Sequence, residues 1–99
     1  MIKKTPVKKS DKIAVTFSMR GFDSADSVCV AGEFNGWDPD SHPLRKRKDG
    51  LWATTLRLPR NGRLEFKYVV DGQLWVNDDE ADASVPDPFG GRNSVLDLG

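Results

Sequence analysis

Three runs of strict alternation constrain this chain more than any other feature. Ile13, Val15, Phe17 and Met19 alternate with Ala14, Thr16, Ser18 and Arg20. Trp52, Thr54, Leu56 and Leu58 alternate with Leu51, Ala53, Thr55 and Arg57, and Leu64, Phe66, Tyr68 and Val70 with Glu65, Lys67, Val69 and Asp71. Successive side chains of a strand point to opposite faces of a sheet, so each run places its larger side chains on one face. Val28 to Ala31 is apolar on both faces, which predicts a central strand ending at Gly32. Ser94 to Leu98 predicts a short closing strand, and no stretch carries a helical stripe.

Turn formers separate these runs. Gly21 to Ser27 and Pro59 to Gly62 predict turns, and Asp49-Gly50 and Asp71-Gly72 are hairpin signals because both residue types tolerate a left-handed backbone. Leu44 opens a short polar segment leading into the first of these hairpins. About seven short strands call for two sheets packed face to face, since a single sheet would leave an apolar face wet. The predicted fold is all-β, an immunoglobulin-like antiparallel β-sandwich, with a small closed barrel as the alternative because spacing does not fix which strands pair. Ninety-nine residues suffice for one core and not two. Residues 1–12, with five lysines, Asp11, Pro6 and no apolar period, predict a flexible basic arm, and 13–99 the domain.

The chemistry open to the chain is narrow. Fifteen basic and fifteen acidic side chains give a formal net charge of zero. That zero conceals a gradient: residues 1–12 sum to plus four, 13–70 to plus two and 71–99 to minus six. Only the arm and the run Arg45 to Lys48 offer a cationic patch, which is too little for a nucleic-acid partner. No stretch approaches the ~20 apolar residues of a membrane span, and the amino-terminal lysines precede no apolar secretory segment, so a cytoplasmic location is expected. Cys29 and His42 are the single cysteine and histidine, read as a buried small hydrophobe and a turn residue. They exclude an intrachain disulfide and leave zinc sites and Cys–His or Ser–His nucleophile pairs hard to assemble. Asp38 with Asp40, and Asp78, Asp79 and Glu80, read as solvated turns rather than paired hydrolytic carboxylates or a calcium site. No catalytic residue, metal or cofactor is expected.

The tryptophans divide into two kinds. Trp52 lies in phase with Leu56 and Leu58, as a core residue does. Trp37, in Phe34-Asn35-Gly36-Trp37-Asp38-Pro39, and Trp75, followed by Asn77 and Asp78, stand in polar turns. A flat apolar ring bordered by amides and acids suits a sugar, which has an apolar C–H face and a rim of hydroxyls. The bland alternative is that both rings cap the ends of a small sandwich.

Three blocks in order, VCVAGEFNGWDP at 28–39, GLWATTLRLPRNGRLEFKYVVDG at 50–72 and FGGRNSVLDL at 89–98, resemble the glycogen-binding module of the AMP-activated protein kinase β subunit. The same blocks are similar to the N-terminal domains of glycogen branching enzymes and isoamylases, which form carbohydrate-binding family 48. The resemblance spans residues 13–98 and implies an early-set immunoglobulin-like sandwich that binds α-1,4-linked glucan on two tryptophans, with a lysine and an asparagine on the sugar rim. Those positions fall on Trp37, Trp75, Lys67 and Asn93, and an apolar loop residue falls on Phe89. Asn35 in the FNGW turn joins them as the residue presenting Trp37. The chain departs from the family twice. The hydroxyl residue is Gly91 here, and Leu74 separates Trp75 from Asp71-Gly72-Gln73. One extra residue reverses the face a ring takes unless a bulge absorbs it. The resemblance implies a noncatalytic module for glycogen, starch or maltooligosaccharide. The alternative is an interaction or regulatory module attached to a glycogen-metabolism enzyme.

Overall fold

The structure, a computed structural model, describes residues 1–60 and 62–99. Nine strands run through it: β1 (Ile2–Pro6), β2 (Lys12–Met19), β3 (Val28–Gly32), β4 (Arg45–Lys46), β5 (Trp52–Pro59), β6 (Arg63–Val70), β7 (Leu74–Val76), β8 (Ala83–Pro86) and β9 (Arg92–Asp97). One 3₁₀ turn, Glu33–Asn35, follows β3. The first sheet has the order β1-β2-β5-β4, and the second β3-β6-β9-β8, with β7 also paired to β6; every pairing is antiparallel.

The alternation seen in the sequence builds the core between the sheets. Val15 and Phe17 from β2 meet Val30, Phe66, Tyr68 and Leu96 from the second sheet, all fully buried. The Phe66 ring meets Phe17 edge-on at 5.1 Å and Tyr68 edge-on at 5.7 Å, an arrangement that aligns ring edges with ring faces. Trp52 is buried with this cluster, and its indole N–H donates to the Phe22 carbonyl at 3.1 Å. The architecture is the immunoglobulin-like antiparallel sandwich that the pattern predicts.

Several local expectations change. The expected flexible arm contains a strand, because Ile2–Pro6 pairs along β2 from Phe17 to Ile13 and Ile2 packs on the core. Lysine-rich alternation hides such a strand, yet lysines suit a sheet edge because they discourage further pairing. β3 lies at an edge rather than the centre of its sheet. Its free side is covered by the segment after the FNGW turn, where Val30 N–H donates to His42 O and Leu44 N–H to Val28 O. That cover accounts for its fully buried pattern. Leu74–Val76 and Ala83–Pro86 form the additional short strands β7 and β8, the closing strand starts at Arg92, and position 61 of the expected turn at 59–62 lies outside the described residues. Among the described residues no helix is long and apolar enough to cross a membrane.

Charge is partitioned between the layers. Residues 1–20 and 44–62, which build the first sheet and its turns, hold twelve basic side chains against Asp11 and Asp49. The remainder, carrying the second sheet, holds thirteen acidic side chains against Arg63, Lys67 and Arg92.

Candidate functional site

The outer face of the second sheet carries the site. Because Leu64, Phe66, Tyr68 and Val70 of β6 face the core, Glu65, Lys67 and Val69 face outward. Lys67 of β6, Asn93 of β9, Trp75 of β7, Trp37 after the 3₁₀ turn and Phe89 of the β8–β9 loop line one open cavity of about 540 Å³. Glu33, Glu65, Asp87 and Pro88 complete its wall.

Trp37 is held in an unusual backbone. Gly36 and Trp37 are both left-handed, with φ of 66° and 61°. Glycine takes this conformation freely, whereas for tryptophan it costs about 1–2 kcal/mol. The surrounding bonds impose it: Trp37 N–H donates to Gly32 O at 2.9 Å, and the Asn35 amide bonds to Gly32, Val30 and His42. Asn35 is therefore outside the cavity, fixing the turn that delivers Trp37 into it. Strain held at such a position is a recurrent mark of a functional site.

The register of β7 settles where Trp75 points. Val70, Asp71, Gly72 and Gln73 form a type I′ turn, with Gln73 N–H donating to Val70 O at 3.1 Å and φ of 54° and 69° at its two central residues. Leu74, not Gln73, then takes the ladder place opposite Val70, and Trp75 stands opposite Val69. Two residues facing one are a bulge, so the additional residue is absorbed and Trp75 shares the outward face of Lys67. Trp75 as a whole remains 41% exposed.

The polar groups form two tethered pairs. Lys67 Nζ donates to Asp87 Oδ2 at 3.0 Å, while Asp87 Oδ1 accepts the N–H groups of Phe89 and Gly91, both at 2.8 Å. The Lys67 bond foremost, then the Gly91 and Phe89 N–H groups, hold the Asp87 carboxyl below the usual carboxylate range. This tether orders the loop carrying Phe89, a residue 93% exposed. It also accounts for glycine at 91, because a Cβ there would lie 2.9 Å from Asp87 Oδ2. In the second pair Asn93 Nδ2 donates to Glu65 Oε1 at 2.9 Å, and Glu65 N–H donates to Glu33 Oε1 at 2.7 Å.

Five of the six residues singled out in the sequence thus meet in one cavity. Sequence reasoning missed Glu33, Glu65, Asp87 and Pro88. Glu65 was legible as the outward neighbour of Lys67 two positions along the strand, and Asp87 and Pro88 as loop neighbours of Phe89. The other acidic run behaves differently. Asp78 is not a solvated turn residue: its side chain is 2% exposed and accepts from the Tyr68 hydroxyl at 2.7 Å and the Met1 ammonium. Burial, with Asp78 beside it, pushes the Tyr68 hydroxyl far up from its ordinary value. Among the described residues no group of three or more His, Cys, Asp or Glu side chains is placed to hold a metal ion.

Three aromatic faces, two nitrogen donors and three carboxylate acceptors around one opening suit a neutral, polyhydroxylated ring. Residues 13–99 match the family described as the glycogen recognition site of AMP-activated protein kinase. The 1,4-alpha-glucan branching enzyme GlgB of Prochlorococcus marinus is 37% identical over 74 residues, which is 72% of this chain and 9% of the enzyme. GlgB 2 of Xanthomonas campestris pv. campestris is 38% identical over 58 residues, covering 56% of this chain and 8% of the enzyme. The chain therefore spans less than a tenth of the length of these relatives. Among solved structures, the enterobactin esterase FES of Shigella flexneri superposes with a TM-score of 0.78 at 13% identity, over 98% of this chain and 32% of the esterase. That likeness is one of fold.

Proposed function

The chain belongs to the family of the glycogen recognition site of AMP-activated protein kinase, and from that membership we propose that it is a noncatalytic module whose outer β6 face binds α-1,4-linked glucan. Trp37 and Trp75 stack on sugar rings, and Phe89 extends the apolar platform. Lys67 Nζ uses one hydrogen on Asp87 and keeps two for sugar hydroxyls. Asn93 donates to Glu65 and offers its carbonyl oxygen. Asn35 acts through Trp37. The observation that carries this reading is the convergence on one opening of Trp37 after the 3₁₀ turn, Lys67 of β6, Trp75 of β7, Phe89 of the β8–β9 loop and Asn93 of β9.

The ligands are linear stretches of glycogen or starch and maltooligosaccharides. Few stacked faces and partly solvated hydrogen bonds must offset the ordering of a flexible sugar, so dissociation constants fall roughly between micromolar and millimolar. We place the module in the cytoplasm, without nucleic-acid or membrane partners. Its relatives are enzymes more than ten times the matched length, which supports a second role as an interaction or regulatory module beside a glycogen-metabolism enzyme.

Amide-shift mapping with maltoheptaose tests the glucan reading. Shifts at Trp37, Lys67, Trp75, Phe89 and Asn93 are expected, and an unchanged spectrum at millimolar sugar overturns it. Incubation with maltooligosaccharide is expected to release no reducing ends.

A further inference from the structure

The conformation of Trp37 depends on one side-chain amide. Asn35 Oδ1 accepts the Gly32 N–H at 3.0 Å, and Asn35 Nδ2 donates to the Val30 carbonyl at 3.0 Å and lies 2.8 Å from His42 Nδ1. The two backbone partners dictate the amide's orientation, since an N–H can only donate and a carbonyl can only accept. The NH2 group therefore faces His42 and spends its second hydrogen there. Nδ1 must then be an unprotonated acceptor, with the ring proton on Nε2.

His42 is anchored for this role. Its carbonyl accepts the Val30 N–H at 3.0 Å, and its ring stands edge-on to Phe34 at 5.8 Å. Phe34 in turn contacts Phe17 at 5.7 Å. One residue after the left-handed Gly36, Trp37 takes its strained conformation on the same Gly32 that Asn35 grips.

We propose that His42 is a positioning residue for the glucan site: its neutral, Nε2-protonated imidazole completes the Asn35 clamp that holds Trp37 in place, and protonation at Nδ1 sets two donors face to face and opens it. Other titratable groups around the ring leave the sign unchanged. Asp38, in the same loop, attracts the imidazolium, while its carboxylate accepts Asp40 N–H at 2.9 Å and Ser41 Oγ–H at 2.5 Å. Asp38 leaves the clash of donors unaltered. Cys29, whose strand neighbours Pro43, stays a neutral thiol because burial, then Asp40 and Asp38, push its ionisation up. Glu33 is turned away onto Glu65 N–H. Glucan affinity therefore falls as pH falls through the ionisation of His42, and by linkage bound glucan makes His42 harder to protonate.

This proposal rests on the glucan reading, and its test separates the two. Maltoheptaose affinity is measured from pH 7.5 to pH 5 on the wild-type chain and on His42→Asn, whose side-chain oxygen is an acceptor that does not titrate. Long-range proton–nitrogen spectra of His42 and the Trp37 amide signals are followed over the same range without sugar. Wild-type affinity is expected to drop about tenfold, the scale of one hydrogen bond lost. The pH slope should vanish in His42→Asn, and the ligand-free wild type should show a bare Nδ1 with Trp37 signals moving as it protonates. A proton on Nδ1 at pH 7.5, or the same pH slope in His42→Asn, overturns the clamp. No maltoheptaose binding by the wild type at pH 7.5 overturns the glucan reading, while the sugar-free spectra still decide the clamp.

Discussion

At Trp37 the backbone and the side chain have opposite interests. A residue with φ of 61° is more comfortable as glycine, yet the turn carries a large flat ring into the wall of the cavity. Trp37→Gly is accordingly expected to be more stable than Trp37→Ala by about 1 kcal/mol, reversing the usual order of glycine and alanine, while both abolish the fluorescence response to maltoheptaose. Urea unfolding of the two variants measures the difference, and alanine proving the more stable would contradict the strain. Asp87 supplies a second residue-scale prediction. Its folded ionisation lies below the ordinary carboxylate value near 3.9, so its contribution is fully present above about pH 4 and is lost as pH falls through the lowered folded value. Below that point the loop tether opens, and the amide signals of Phe89 and Gly91 should broaden or shift together in an acid titration. In Asp87→Asn the same amides should already be displaced at pH 7.

Elements show why some of this structure was legible in the sequence and some was not. β2, β5 and β6 are eight residues each and bury one face, so their alternation announces them. β1, β7 and β8 hold no fully buried residue, and their side chains carry no apolar period to read. Trp37, Lys67, Trp75, Phe89 and Asn93 were found by residue type and family resemblance. Glu33 was not, because what brings it to the cavity is a hydrogen bond from the distant backbone N–H of Glu65. The bulge at Gln73 and Leu74 lies between these extremes. The possibility was visible in the spacing, but only the pairing of Leu74 with Val70 fixes the outcome. Deleting Gln73 should leave a two-residue turn with Leu74 still opposite Val70, so Trp75 keeps its face and maltoheptaose affinity changes less than threefold by titration. Loss of binding in that variant would mean that the bulge itself shapes the site.

On the scale of the whole molecule, a formal net charge of zero is misleading. Twelve basic side chains belong to the chain segments of one sheet and thirteen acidic ones to those of the other, so the segments of the two sheets carry opposite net charge. At low ionic strength and pH 7 the protein should be retained on both cation and anion exchangers, and 150 mM salt, with a Debye length of about 8 Å, should release it from each. Passage through either column without delay at low salt would show that the side chains mix the two fields. The cleft proposed to take glucan lies on the acidic layer, facing away from β1 with its Lys3 and Lys4. An anionic neighbour of any kind exerts a torque on such a molecule before touching it, turning the basic sheet inward and the aromatic cleft outward. The domain then arrives with a preferred heading, and an uncharged polymer that feels none of this field meets the cleft already facing it.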